Sequence, residues 1–241
     1  MEDGHIVSSF DEELNRMRSA ISRMGGMVEA QLSNAVKAIG RRDDAIARHC
    51  LQADAEIDAM EDEVEALTLR MLALRQPVAT DLRAILAALR ISHDLERMGD
   101  YATNVAKRAS ALNQLPEVGP INGIVRMGQL THQIATGVLD AYAESDVDKA
   151  IAVWERDQEI DQMYTSLFRE LLTYMMEDPR NISPCTHLLF VAKNIERIGD
   201  HATNIAETVY FQENGTRLEK LRPKGDQTSF AVVTPSDSDE S

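Results

Sequence analysis

Apolar residues return every three or four positions through most of this chain, with polar residues filling the gaps. Ile57, Met60, Val64, Leu67 and Met71 are spaced by three, four, three and four, which draws one stripe along a helix of about 3.6 residues per turn. Leu95, Met98, Ala102 and Val105 repeat that rhythm. The period predicts six helices, near 9–41, 43–75, 78–112, 121–144, 146–178 and 184–212. Between the third and the fourth, "LNQLPEVGPING" at 112–123 carries Pro116, Gly119 and Pro120, which interrupt helix on either side. The expected fold is all-α: two tandem three-helix bundles, six long antiparallel helices, over 1–113 and 121–213. A flexible acidic tail rich in Gly, Pro, Ser and Thr is expected over 214–241.

Helix ends carry their own signals. "SFDE", Ser9 to Glu12, reads as a capping box, Asp43 as the cap of the second helix, and Ser145 as the cap of the fifth with Asp148 at its third position. Pro77 falls in the first turn of the third helix, where its missing N–H does no harm, and Ser183 with Pro184 opens the sixth.

The two blocks share more than a period. "DLERMGDYATNVAKR" at 94–108 returns as "NIERIGDHATNIAET" at 194–208, and "ADAEIDAMEDEVEAL" from Ala53 returns as "RDQEIDQMYTSLFRE" from Arg156. Two matches at equivalent helices of two blocks are explained by one internal duplication.

Composition narrows the function. The 241 residues are 44% hydrophobic but only 5% aromatic, so the cores are aliphatic, and most of the 11 methionines stand at core spacing. A net charge of −15 opposes nucleic acid, whose binding needs clustered Lys and Arg, and favours cations or basic protein surfaces. Cys50 and Cys185, without CxxC spacing, predict reduced core thiols rather than a zinc knuckle or disulfide framework. The longest uncharged run, "MGQLTHQIATGVL" at 127–139, is too short for a bilayer span of about 20 residues. The start of the chain is acidic, unlike a secretory signal, and a cytoplasmic protein is expected.

Acids four apart share a helix face. Four such pairs occur at equivalent helices: Asp54 with Asp58, Glu96 with Asp100, Asp157 with Asp161, and Glu196 with Asp200. On the third helix Glu96 and Asp100 fall opposite the core stripe, and on the second the acids form a polar strip that also holds Glu61 and Glu65. Neighbouring antiparallel helices can bring four of these carboxylates together. Their repulsion calls for a cation, and all-oxygen ligation suits hard ions such as Mg²⁺, Mn²⁺, Ca²⁺ or ferric iron. Solvated acids on an acidic protein are the plainer reading of any one pair, and it is the fourfold repetition that supports metal. His93 and His201 adjoin the motifs and are left unassigned, since polar-face histidines are commonly just solvated. "MGGMVE" at 24–29 suggests close packing, and "RQPVATDLR" at 75–83 offers a basic rim.

No GxGxxG, Walker loop, GxSxG or HExxH is present. Glu-x-x-His occurs at Glu2 with His5, ahead of the first expected helix, which opposes ferritin-like oxygen chemistry. A carboxylate-bridged metalloenzyme, a metal-storage bundle or a plain helical scaffold remain as alternatives to a metal-binding regulator.

"LERMGDYATNVA", "IERIGDHATNIA", "GGMVEAQL", "RQPVATDLR" and "LLTYMMEDPR" closely resemble the PhoU family, accessory and regulatory proteins of bacterial phosphate-specific transport, over about residues 9–212. The resemblance implies two three-helix repeats with multinuclear metal sites on carboxylate motifs. Matched position by position, these are Glu96 with Asp100 and Glu196 with Asp200; Asp54 with Asp58 and Asp157 with Asp161 fit the same motif, and Asp62 assists. Tyr164 stands where the first repeat has Glu61, so the two sites are expected to differ in charge. The resemblance further implies a non-enzymatic homodimer that restrains the phosphate regulon. It would link the ATPase subunit of a phosphate ABC transporter to a sensor histidine kinase, limit phosphate uptake, and meet the membrane through these partners alone.

Overall fold

A computed structural model describes residues 2–75, 77–219, 226 and 228, apart from the side chains of 2–9 and 75. Six helices follow one another: α1 (Glu2–Arg41), α2 (Asp44–Arg75), α3 (Ala79–Leu112), α4 (Ile121–Glu144), α5 (Val147–Glu177) and α6 (Ile182–Asn214), with a short 3₁₀ turn at Pro179–Asn181. There is no strand among the described residues, so the fold is all-α. None of the described helices is long and apolar enough to cross a membrane.

The apolar stripes close two three-helix packings, α1–α2–α3 and α4–α5–α6, and α3 lies against α6 while α1 lies against α4. The core is continuous through both, from Met24, Leu32, Met71 and Met98 to Ile124, Met127, Ile195 and Ile198. Cys50 and Cys185 are buried free thiols within it, and burial pushes the Cys50 thiol up to about 11.

Glycines set the α1–α4 seam. A β-carbon at Gly128 would fall 2.4 Å from Val36 Cγ2, and one at Gly25 2.7 Å from Leu139 Cδ2, so the backbones approach where these side chains are missing. Of the two glycines in "MGGMVE", Gly25 is thus a packing position, whereas Gly26 faces open space.

Several helix ends differ from expectation. α1 is already helical at Glu2, so "SFDE" lies inside the helix, where no terminal N–H awaits a cap. Asp43 caps α2 as expected, accepting from Ala45 N at 2.9 Å and Ile46 N at 3.2 Å. Ser145 instead ends α4 in the left-handed conformation, φ 54°, and Asp146 caps α5 by accepting from Lys149 N at 2.9 Å. Pro77 precedes α3 rather than sitting in its first turn, because Val78 is the extended residue before the helix. The last helix opens two residues before Pro184, after the 3₁₀ turn that Asp178 caps. In the basic rim, Arg83 Nε donates to Gln212 O at 3.1 Å and ties α3 to the end of α6. The tail expected over 214–241 lies outside the described residues beyond 219, apart from Asp226 and Thr228.

Candidate metal centre

In each repeat the middle and last helices meet along their acid pairs because a glycine lets them. A β-carbon at Gly99 would lie 3.2 Å from Ile57 Cδ1, and one at Gly199 2.7 Å from Ile160 Cδ1 and 3.3 Å from Asp157 Oδ1. The glycine between the two acids of each last-helix motif therefore draws the facing acidic helix close. This spacing was in the sequence, one residue before Asp100 and Asp200, but a periodicity argument registers glycine only as a weakness in the helix.

The first-repeat ledge is carried by Asp54 and Asp58 of α2 and Glu96 and Asp100 of α3. Asp54 is half-buried and oriented by a relay: Gln31 Nε2 donates to Thr103 Oγ1 at 2.7 Å, and Thr103 Oγ1 donates to Asp54 Oδ1 at 2.8 Å. The carboxyl of Asp58 is held above the ordinary range by loss of solvent and then by the charges of Asp54, Asp100 and Asp62. Burial likewise lifts Glu96, with Asp100, Glu61 and Asp58 adding to the lift against Arg97. The acids thus influence one another across the helix pair, although the group whose ligand atoms converge among the described residues is Glu61, His93 and Glu96 and includes only one of the four expected acids.

Three further residues, Glu61, His93 and Arg97, adjoin these acids. His93 Nδ1 lies 3.1 Å from Glu61 Oε1, and ligand atoms of Glu61, His93 and Glu96 all fall within 4.8 Å of one another. Arg97 pairs with Glu96 Oε2 at 3.2 Å through Nε and with Asp100 Oδ2 at 3.0 Å through Nη1. Like Glu196 Oε2 of the second repeat, Glu96 Oε2 is buried and accepts no geometrically sound hydrogen bond. A cation between α2 and α3 would satisfy it. Two carboxylates, one imidazole and flanking aspartates suit manganese or iron, which accept both oxygen and nitrogen, better than Mg²⁺ or Ca²⁺.

The second-repeat ledge differs in burial. Asp157 is 2% exposed, Asp161 4% and Glu196 4%, whereas their counterparts Asp54, Asp58 and Glu96 are all half-buried or exposed. A helical wheel opposes these acids to their own core, yet their side chains turn into the neighbouring helix rather than into water. Lys193 of α6, at the position of His93, donates from Nζ to Glu196 Oε1 at 2.7 Å and lies 4.8 Å from the centre of the Tyr164 ring. Burial nevertheless pushes the Glu196 carboxyl up to about 7; Lys193 opposes the rise, and Asp200 and Asp161 reinforce it. His201 stands apart from the ledge, with Nδ1 2.7 Å from Asp94 Oδ1 of α3. The sequence left both histidines unassigned, and the fold separates them: His93 joins the first cluster and His201 the contact between repeats.

Known proteins share this chain's sequence and fold. The PhoU domain family model matches residues 21–109 and 124–209, one match per repeat. The phosphate-specific transport system accessory protein PhoU homolog of Caulobacter vibrioides is 50% identical over 226 residues, covering 93% of this chain and 98% of that protein. Among solved structures, PhoU from Pseudomonas aeruginosa superposes with a TM-score of 0.82 at 40% identity, covering 86% of this chain and all of that one. The phosphate transport system regulatory protein PhoU from Streptococcus pneumoniae does so with a TM-score of 0.79 at 29% identity, covering 88% of this chain and all of that one. These relatives carry the names of accessory and regulatory proteins rather than of enzymes. With both repeats matched and the similarity running over nearly its whole length, the chain belongs to the PhoU family.

Proposed function

We propose that this chain is a cytoplasmic, non-catalytic regulator of phosphate homeostasis that restrains the phosphate regulon when phosphate is plentiful. It couples the ATPase subunit of a phosphate-specific ABC transporter to the sensor histidine kinase of that regulon, limits uptake, and reaches the membrane through these partners as a homodimer. The observation that carries this reading is the match of both repeats to proteins named as accessory to phosphate-specific transport. Deleting the gene is expected to leave phosphate-responsive genes expressed in high phosphate, with the ATPase and the kinase recovered on the tagged protein from phosphate-replete cells. Normal repression in the deletion strain would refute it.

The first ledge is the metal-binding part of this reading: Asp54, Asp58, Glu96 and Asp100 would hold a hard cation, with Glu61 and His93 beside them. Bound there, the cation would supply positive charge that joins α2 to α3. The equivalent set Asp157, Asp161, Glu196 and Asp200 fits a metal less well, because three of its acids are buried and the Lys193 ammonium bridges Glu196 to Asp226 among them, whereas the Arg97 side chain beside the first set is more exposed. Protein purified without chelator should contain manganese or iron, and the double variant Glu96→Ala, Asp100→Ala should lose it. Equal metal in both would leave these acids as ordinary surface.

A further inference from the structure

Duplication gave the chain two copies of one ledge, and two substitutions and an added contact set them apart. Tyr164 replaces Glu61, Lys193 replaces His93, and Asp226 with Thr228, from beyond the repeats, stand against the second copy. Each change meets a need the bare acids would have. The Lys193 ammonium donates to Glu196 at 2.7 Å and to Asp226 Oδ2 at 3.1 Å, placing a cation where two carboxylates converge. The Asp226 backbone N–H donates to Asp161 Oδ2 at 3.2 Å. Thr228 fixes the geometry of Asp226, donating to its Oδ1 from the backbone N at 2.8 Å and from the hydroxyl at 2.6 Å, and shares a hydrogen bond with the Tyr164 hydroxyl. The aromatic face of Tyr164 lies against the ammonium from the other side.

We propose that the second ledge is a closed site whose resident cation is Lys193 and whose cover is Asp226 with Thr228, leaving the first ledge as the chain's ion site. An ion entering the second ledge must displace an ammonium that is already hydrogen-bonded on two sides and must separate Asp226 from Asp161. In the first repeat the residue at the Lys193 position is the exposed His93, the cation beside the acids is the more exposed Arg97, and Asp54, Asp58 and Glu96 are all less buried than their counterparts Asp157, Asp161 and Glu196. Lys193 therefore determines which repeat takes metal. The closure stands on contacts alone; the assignment of the ion to the first ledge rests on the metal reading given above.

Two measurements on the full chain test this. The first is amine acetylation followed by mass spectrometry, with exposed Lys37 as the internal reference. Lys193 should react several-fold more slowly than Lys37, and Asp226→Ala should raise its rate several-fold without changing that of Lys37. An unchanged Lys193 rate in Asp226→Ala overturns the closure. The second is a Mn²⁺ titration by calorimetry on chelator-stripped protein. Glu196→Gln should leave the stoichiometry unaltered, Glu96→Gln should abolish binding, and Lys193→Gln should open a second class of sites. Loss of half the bound Mn²⁺ in Glu196→Gln overturns the proposal; the Gln variants keep side-chain volume, and circular dichroism checks that they fold. If no variant takes up ion, the metal reading of the first ledge falls, while the acetylation rates still decide whether the second ledge is closed.

Discussion

The Glu196 carboxyl, lifted by burial to about 7 from an ordinary 4.5, holds its proton more tightly in the folded chain than in the unfolded one. Between these values the folded state carries more protons, so the metal-free fold loses stability as pH rises from about 4.5 to about 7 and gains it as pH falls. The groups around it are Lys193 and Asp200 on α6, Asp157, Asp161 and Tyr164 on α5, and Asp226 from the tail. Glu196→Gln removes this titration and leaves the others in place. The melting temperature of chelator-treated protein at pH 5 minus that at pH 8 should therefore be smaller in Glu196→Gln than in the parent chain. Equal differences would mean that Glu196 titrates as it does in water. The pair Glu196 and Asp200 was legible from spacing, but this proton affinity was not, because it depends first on burial against a facing helix and then on Lys193, Asp200 and Asp161.

Helix-to-helix contacts explain what periodicity could and could not predict. The apolar stripes gave six helices and their grouping in threes, but not the α3–α6 and α1–α4 contacts between the groups, because burial of one stripe constrains only a helix's own bundle. The wheel did not tell a polar strip facing water from one facing another helix; Asp157 and Asp161 belong to the second kind. The cap expected at Ser145 falls instead to its neighbour Asp146, because Ser145 ends α4 in the left-handed conformation. Glycines inside helices read alike in sequence yet behave in opposite ways. At Gly128 an added methyl would meet Val36 Cγ2 at 2.4 Å, Cγ1 at 3.0 Å and Cβ at 3.3 Å. Val36 is β-branched and held to essentially one rotamer in a helix, so α1 and α4 must separate. Gly128→Ala should destabilise by about 1–3 kcal/mol from overpacking, less a helix-propensity gain of at most about 1 kcal/mol. Gly26→Ala meets nothing within 4 Å and should stabilise by up to about 1 kcal/mol. Urea titration of the two variants should show midpoints moving in opposite directions, and movement in the same direction would refute the seam argument.

The two repeats are joined too closely to unfold one at a time. Their cores merge across α3 and α6, where Asp94, 8% exposed, accepts from Asn204 Nδ2 at 3.2 Å and pairs with His201. Flanking this contact, the Arg90 guanidinium lies 5.4 Å from the centre of the Phe211 ring and that of Arg108 4.2 Å from Phe190, so each repeat lends an arginine or an aromatic ring to the other. Separating the repeats would expose a buried carboxylate without its partners and open a continuous apolar core to water, both costly. Duplication alone would suggest two independently folding halves, and sequence carries no signal against that, since the joining contacts are spread over residues about a hundred positions apart. The structure instead predicts one cooperative transition. Differential scanning calorimetry should give a single peak whose calorimetric and van't Hoff enthalpies agree. A fragment ending at residue 113 should melt well below the full chain. Two resolved peaks, or a fragment as stable as the whole, would mean that the α3–α6 contact contributes little and that each repeat stands on its own core.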